Sequence, residues 1–299
     1  MIMKLRAPEY YKQFKCIADR CAHSCCVGWE IDIDGDTAEK YASLTDGYGS
    51  EIAKSIEWNG TPHFRLCEND RCPHLDGRGL CRIITHLGEG YLCHICREHP
   101  RFYNDTPNGT EVGIGMSCEE AARLILSSDG YMNIEEIGED EGEENEFFFD
   151  PLPHREWIYS VLSDRSVPYP ERLDLLGKVY GISLSDASDK HWVGLLESLE
   201  YLDESHRKLF PVFSSACTAP KELEPQLERA LAYFIYRHCS PAWNEEDFRA
   251  SLGFSLLCER LICSITLSGI PITDAARIVS EELEYSEDNT EDIKNEFYM

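Results

Sequence analysis

Ten of the chain's 14 cysteines fall within its first 118 residues: Cys16, Cys21, Cys25, Cys26, Cys67, Cys72, Cys81, Cys93, Cys96 and Cys118. In a reducing compartment such a density of thiols does not pair off as structural disulfides, so it points to metal or redox chemistry. The same stretch is full of turn formers, among them DIDGD, TDGYGSE, ENDRCPHLDGRGLC and NDTPNG, which interrupt any long helix or strand. A loop-rich segment of this length needs something besides an apolar core to fix it, and ligation supplies that, because binding energy at such a site is folding energy. The remaining four cysteines, Cys217, Cys239, Cys258 and Cys263, are scattered through helical stretches and read as small core hydrophobes.

Charge excludes one large class of function. The 299 residues hold 28 Lys and Arg against 55 Asp and Glu, a net of −27, the opposite of the basic face that neutralises phosphates in a nucleic-acid binder. No run approaches the roughly 18 to 20 apolar residues of a membrane span, and the charges and proline of MIMKLRAPEYYKQFK are foreign to a signal peptide. The expectation is a cytoplasmic globular protein with no nucleic-acid or membrane partner.

The expected fold is mainly α. A loop-rich, cysteine-cluster metal-binding domain with short helices spans residues 1–130. An acidic linker or loop covers 131–150, and an all-helical domain fills 151–299. The linker contains EEIGEDEGEENEFFFD, Glu135 to Asp150, with nine carboxylates and no base, whose self-repulsion favours solvated, extended chain. Beyond it, REWIYSVL, ERLDLLGKVYGI, WVGLLESLEYL, LEPQLERALAYFIYRH and FRASLGFSLLCERLICSITL show apolar residues at three- and four-residue spacing, broken by prolines. In the first part, DTAEKYASL predicts a short helix. Another is predicted from Ser117, with Ser117 as N-cap, Glu120 closing a capping box and AARLIL as its apolar stripe. Cys118 then falls in the first turn, where the helix dipole favours a thiolate.

The cysteine spacings are C16-x4-C21-x3-C25-C26, C72-x8-C81, C93-x2-C96 and Cys118. Four thiolates suffice for zinc or for a 4Fe-4S cluster, and counting does not choose between them. A zinc ribbon uses two CxxC knuckles, and only Cys93 and Cys96 form one. The C-x3-C-x2-C pattern of radical enzymes that cleave S-adenosylmethionine fails as well, since Cys26 follows Cys25 directly. His74, His86, His94 and His99 lie among the thiols and are candidate substitutes for one of them. Gly113 and Gly115 in VGIGMSC form a lone GxG, a weak sign of a nucleotide or S-adenosylmethionine site.

Taken together, APEYYKQFKCIADRCAHSCCVGWEIDID, CPHLDGRGLCRIITHLGEGYLCHICREHPR and SCEEAARLIL resemble the flagellin lysine-N-methylase family, within a wider group of zinc- or iron-chelating proteins with a CxxCxxCC-like motif. Near the far end ELEYSEDN, Glu282 to Asn289, looks like that family's EHSxxN block, with Tyr285 in the histidine position. The resemblance implies methyl transfer from S-adenosylmethionine to lysine amines of flagellin by an enzyme with a 4Fe-4S cluster, or alternatively zinc. It places the family's metal cysteines on Cys16, Cys21, Cys25, Cys26, Cys72, Cys81, Cys96 and Cys118, with Cys67 and Cys93 as additions peculiar to this chain.

The chemistry needs no radical, because a neutral amine displaces the sulfonium methyl in line. It does need positioning, and removal of a proton from an amine whose unperturbed pKa is about 10.4. The metal is then most simply a structural staple or a redox gate, with a directly catalytic cluster as the bolder reading. Tyr10, Tyr11 and Trp29 are candidates for an aromatic slot that takes a methylated ammonium. Arg97 and Arg101 are candidates for holding the cofactor's carboxylate. No catalytic residue is assigned. The rival reading is a noncatalytic zinc- or iron-binding redox or interaction module, which would not bind S-adenosylmethionine.

Overall fold

The computed structural model describes residues 2–45, 47–141 and 147–298. Its first strand, β1 (Ile2–Pro8), precedes a short 3-10 turn that buries Tyr10. Residues 15–101 then form one compact unit, and residues 1–14 with 102–299 form the other. The chain therefore leaves its larger unit after Phe14 and re-enters it at Phe102, so the division does not fall in the acidic stretch.

The smaller unit is built from short pieces, as its turn formers require. It contains α1 (Gly35–Ala42), α2 (Gly47–Lys54), the two-residue strands β2 (Ile56–Glu57) and β3 (His63–Phe64), α3 (Arg82–Leu87) and α4 (His94–Glu98). Strands β2 and β3 pair antiparallel, with Ile56 opposite Phe64. Its small core joins Ile31, Ile33, Tyr41, Ile52, Ile56, Phe64 and Ile83 to two buried cysteines, Cys72 and Cys93. The helix expected from DTAEKYASL forms as α1, capped by Asp34, whose carboxylate accepts from the Thr37 amide at 3.0 Å.

The larger unit continues with β4 (Arg101–Thr106), β5 (Gly109–Ile114), α5 (Glu119–Ser127) and β6 (Ile134–Glu141). The sheet order is β4-β5-β1-β6. Strand β1 runs parallel to β5, with Leu5 opposite Thr110, and antiparallel to β6, with Lys4 opposite Glu139. The turn into β5 requires glycine, because Gly109 has φ +114° and a Cβ there would lie 2.3 Å from the Lys4 carbonyl oxygen. Sequence periodicity missed this sheet. The acidic run also departs from the expected linker: its first residues form β6, where Glu135 and Glu136 pair with Lys12 and Lys4 at 2.7 Å. Residues 142–146 of that run lie outside the described residues.

The expected helical region follows as α6 (Leu152–Ser163), α7 (Tyr169–Tyr180), α8 (Asp189–Ser198), α9 (Glu224–Phe234), α10 (Glu245–Leu267), α11 (Ile272–Glu284) and α12 (Glu287–Asn295). A π-helical turn, Ile235–Cys239, extends α9. Helix α10 is long and apolar enough to cross a bilayer, but it is the core helix of this unit and packs against α9, α11 and α12. The sheet is tied to the helices by a buried ion pair: Arg155 of α6 donates to Glu111 of β5 at 2.7 Å, with both side chains almost wholly enclosed.

The start of α5 differs from expectation. Cys118 is its N-cap, one position before the helical turn, and no side chain caps the helix there. Glu120 binds Arg123 at 2.7 Å instead of reaching back, and the buried Ser117 hydroxyl has no hydrogen-bond partner among the described residues. With Cys118 as N-cap, Glu120 falls one position short of N3, the place a capping box requires.

Candidate functional site

Five cysteines converge on the small core of the 15–101 unit. Cys72 and Cys93 belong to that core, and Cys26, Cys81 and Cys96 pack against it. Backbone hydrogen bonds bring their segments together: the Cys72 amide donates to the Cys26 carbonyl at 2.8 Å, and the Arg82 amide donates to the His74 carbonyl at 2.7 Å. Bridges between Val27 and Arg71 and between Leu75 and Cys81 complete the frame. The CxxC segment is held from one side by Asp34. One of its carboxylate oxygens caps α1 while the other accepts from the His94 amide, the first residue of α4, at 2.7 Å. Although burial opposes it, the His94 and Thr37 amides keep the Asp34 carboxyl below its usual range.

The sulfurs are not alike: burial raises Cys81, and Cys96 is raised by its contact with the Cys93 thiol and by burial, while Cys93 is lowered by that same contact. Amides aim at them: His74 at Cys72, Ile83 and Ile84 at Cys81, and Cys96 at Cys93. Burial above all, with charge on Cys26, Cys81 and Cys93 adding to it, nevertheless pushes the Cys72 thiol up to about 12. Cys26 moves the other way, to about 7, through its contact with the Cys25 thiol and despite burial. Thiolates that share one small core repel one another unless a cation lies among them, and a metal would supply that charge. An all-sulfur donor set with N–H groups directed at it fits zinc or an iron–sulfur cluster, so Cys26, Cys72, Cys81, Cys93 and Cys96 are the residues that could hold one.

Of the eight cysteines that the resemblance assigned to metal, the structure gathers Cys26, Cys72, Cys81 and Cys96. Cys25 touches Cys26 from the exposed side. Cys16 is exposed, with its sulfur accepting from the Ala18 amide, and the Cys21 thiol donates to the His23 carbonyl at 3.2 Å. Cys118 belongs to the other unit, at the start of α5. Cys93, set aside as an addition, is 1% exposed in the midst of the group. Its CxxC partnership with Cys96 was the signal for including it. Cys67 remains exposed.

The histidine candidates have other occupations. Burial holds His74 down at about 4, and both of its ring nitrogens are engaged, by Tyr48 at 2.7 Å and Ser55 at 2.8 Å. His86 Nδ1 meets the Arg82 carbonyl, and His94 Nδ1 meets Arg97. Arg97 also pairs with Glu98, and Arg101 donates to the Arg97 carbonyl, so both arginines have structural partners. Tyr10 is buried in the core of the larger unit and Tyr11 packs against it, which removes Tyr10 from an aromatic slot. Trp29 faces His99 at 6.3 Å between ring centres.

The 15–101 unit also has an open cleft of about 310 Å³ lined by Glu30, Asp32, Asn59, Thr61 and His63. Ligand atoms of Glu30, Asp32 and His63 lie within 4.8 Å of one another. His63 Nδ1 faces the Thr61 carbonyl at 2.9 Å, which leaves Nε2 toward Glu30 and Glu57. The Thr61 hydrogen bond and the surrounding carboxylates raise its pKa. Sequence spacing alone could not connect Glu30 and Asp32 with His63.

In the larger unit, the block that looks like EHSxxN closes the fold. Ser286 caps α12, accepting from the Asn289 amide, and the Asn289 side chain donates to the Glu200 and Glu282 carbonyls. The carboxylate of Glu284, fully buried, accepts from His238 at 2.7 Å and from the Tyr233 hydroxyl at 3.1 Å, with Arg237 Nε at 3.4 Å. Arg237 and His238 sit on the π-helical turn, a feature that often marks functional positions. Gly113 and Gly115 are packing positions: a Cβ would lie 2.2 Å from the Phe102 ring at the first and 2.2 Å from the Tyr285 hydroxyl at the second.

No family model and no solved structure matches the chain. Over 138 residues, 43% of its length, the chain is 28% identical to the flagellar biosynthetic protein FliU of Salmonella muenchen, covering 80% of that protein. It is also 28% identical over 138 residues to the lysine-N-methylases of Salmonella typhimurium and Salmonella choleraesuis. That match spans only 34% of each methylase. The likeness supports the resemblance read from the sequence: over this stretch the chain is similar to proteins named lysine-N-methylase and FliU.

Proposed function

We propose that the chain is an S-adenosylmethionine-dependent protein-lysine N-methyltransferase that acts on flagellin in the cytoplasm. The observation that carries this reading is the 138-residue match to proteins named lysine-N-methylase.

In this reading Cys26, Cys72, Cys81, Cys93 and Cys96 hold a 4Fe-4S cluster or zinc, which supplies positive charge and cross-links a unit too loop-rich to hold itself. The Glu30–Asp32 cleft receives the lysine. Its carboxylates draw the ammonium in, and the net charge of −27 adds attraction for a lysine-rich surface over roughly 8 Å at physiological salt. His63 Nε2 faces the cleft and accepts the proton that the amine must lose. The amine nitrogen then bonds to the methyl carbon as the sulfonium–methyl bond breaks, leaving S-adenosylhomocysteine.

The test is incubation of anaerobically purified protein with methyl-labelled S-adenosylmethionine and flagellin, followed by peptide mass spectrometry. Methylated lysines are expected, and E30Q/D32N should raise the KM for flagellin several-fold with kcat less affected. Absence of both label transfer and calorimetric heat with S-adenosylmethionine would leave the noncatalytic metal module as the reading. An unchanged KM in E30Q/D32N would remove the cleft while leaving the activity.

A further inference from the structure

Cys217 and Cys263 lie 46 positions apart in sequence, yet their sulfurs are 3.0 Å apart in the larger unit. Closing that gap to a disulfide of about 2.05 Å takes roughly one ångström of movement. The pair differs from the other thiols of the helical region. Cys239 and Cys258 are fully buried, and burial is the main reason that both are raised. Cys263 is likewise enclosed on α10, but Cys217 is only half-buried, in the loop between a 3-10 turn (Arg207–Val212) and α9.

That loop is pinned with Cys217 against α10. The Ser214 amide donates to the Ser264 hydroxyl at 3.2 Å, the Ser215 amide to Asp189 at 2.9 Å, and the Cys217 amide back to the Ser214 carbonyl at 3.1 Å. The Cys263 thiol contact holds Cys217 toward its thiolate, with burial opposing and Ser264 and Arg260 assisting. One thiol is thus reachable and activated, and the other is sequestered beside it, which is the arrangement of an attacking and a resolving cysteine.

We propose that Cys217 and Cys263 form a redox-active dithiol that closes to a disulfide on exposure to a hydroperoxide. The Cys217 thiolate attacks the peroxide, the O–O bond breaks, and a sulfenic acid forms with release of an alcohol, or of water when the peroxide is hydrogen peroxide. The Cys263 sulfur then attacks the Cys217 sulfur, the S–O bond breaks and water leaves. Two thiols and one hydroperoxide thus give one disulfide, one water and one alcohol, or two waters when the peroxide is hydrogen peroxide. The product fastens the loop before α9 to the central helix of the unit. This inference is independent of the methyltransferase reading, since it uses none of the cysteines of the 15–101 unit.

The test is site-resolved peptide mapping of the full chain after treatment with a small excess of hydrogen peroxide, alkylation and non-reducing digestion. The expected product is a Cys217–Cys263 linked peptide, two hydrogens lighter than the sum of its parts and released by dithiothreitol. In Cys263→Ser the reaction should stop at a Cys217 sulfenic acid, trapped by a cyclic diketone in the variant but not in the unsubstituted protein. In Cys217→Ser, Cys263 should stay reduced. Full recovery of both cysteines as alkylated thiols, or linkage of Cys217 to any other cysteine, would overturn the proposal, and the unsubstituted protein alone decides that point.

Discussion

The amide of Cys72 donates to the carbonyl of Cys26 across 2.8 Å, joining two segments 46 residues apart and setting both thiols on one small apolar core. The same core receives Cys81, Cys93 and Cys96, so this hydrogen bond is part of what makes distant cysteines neighbours.

Replacing Cys93 with serine is therefore expected to lower the metal bound per chain sharply, as Cys72→Ser and Cys81→Ser should, whereas Cys16→Ser and Cys217→Ser should leave it near the unsubstituted value. Elemental analysis of anaerobically purified protein measures this. Retention of full metal by Cys93→Ser would show that the buried CxxC does not ligate, and loss of metal in Cys217→Ser would contradict the separation of the two groups of thiols.

Asp34 joins α1 to the CxxC helix α4 by capping both amide ends. Asp34→Ala should cost about 1 to 2 kcal/mol in a denaturant titration, near the upper end for a helix cap because two amides lose their acceptor. It should also speed metal loss to a chelator. Asp34→Asn, which keeps an acceptor, should lose less.

The Arg155–Glu111 pair is enclosed on all sides. Arg155→Met leaves the Glu111 carboxylate buried without its partner and should destabilise the larger unit by about 3 to 5 kcal/mol, while Arg155→Met combined with Glu111→Leu should recover much of the loss. Urea unfolding of the two variants side by side tests the relation, and equal stabilities would refute it.

Glu259 lies within α10, where burial raises its pKa from 4.5 to about 7, with Arg260 opposing and Tyr169 hydrogen-bonded to it at 3.1 Å. Between those two values the folded protein keeps a proton that the unfolded chain releases, so this residue's contribution to stability falls as pH rises from about 4.5 to about 7 and then levels off. The full effect is on the order of 3 kcal/mol. Glu259→Gln should gain stability relative to the unsubstituted protein over that interval, and unfolding midpoints at about pH 5 and pH 8 should show the difference widening with pH. A constant difference would mean that Glu259 does not titrate there.

Several features could be read directly from residue order. Apolar spacing gave the helices after Asp150, and the run DTAEKYASL from Asp36 gave α1, because both depend on contacts within a few residues. The sheet could not be read in this way. Strand β1 pairs with β5 and β6, more than a hundred residues away, and β6 opens a run whose charge argues for solvated chain until Lys4 and Lys12 stand opposite it.

The sequence by itself determined that thiols would dominate the first third of the chain, that the protein would be strongly acidic and mainly helical, and which family its blocks resemble. Only the tertiary structure decided which thiols meet. Cys93 lies within the gathered set while Cys16 stands exposed, and Cys217 faces Cys263 rather than dissolving into the core. The reason is physical: spacing along a chain limits where a sulfur can reach, but long-range backbone hydrogen bonds and the small core they enclose fix where it points.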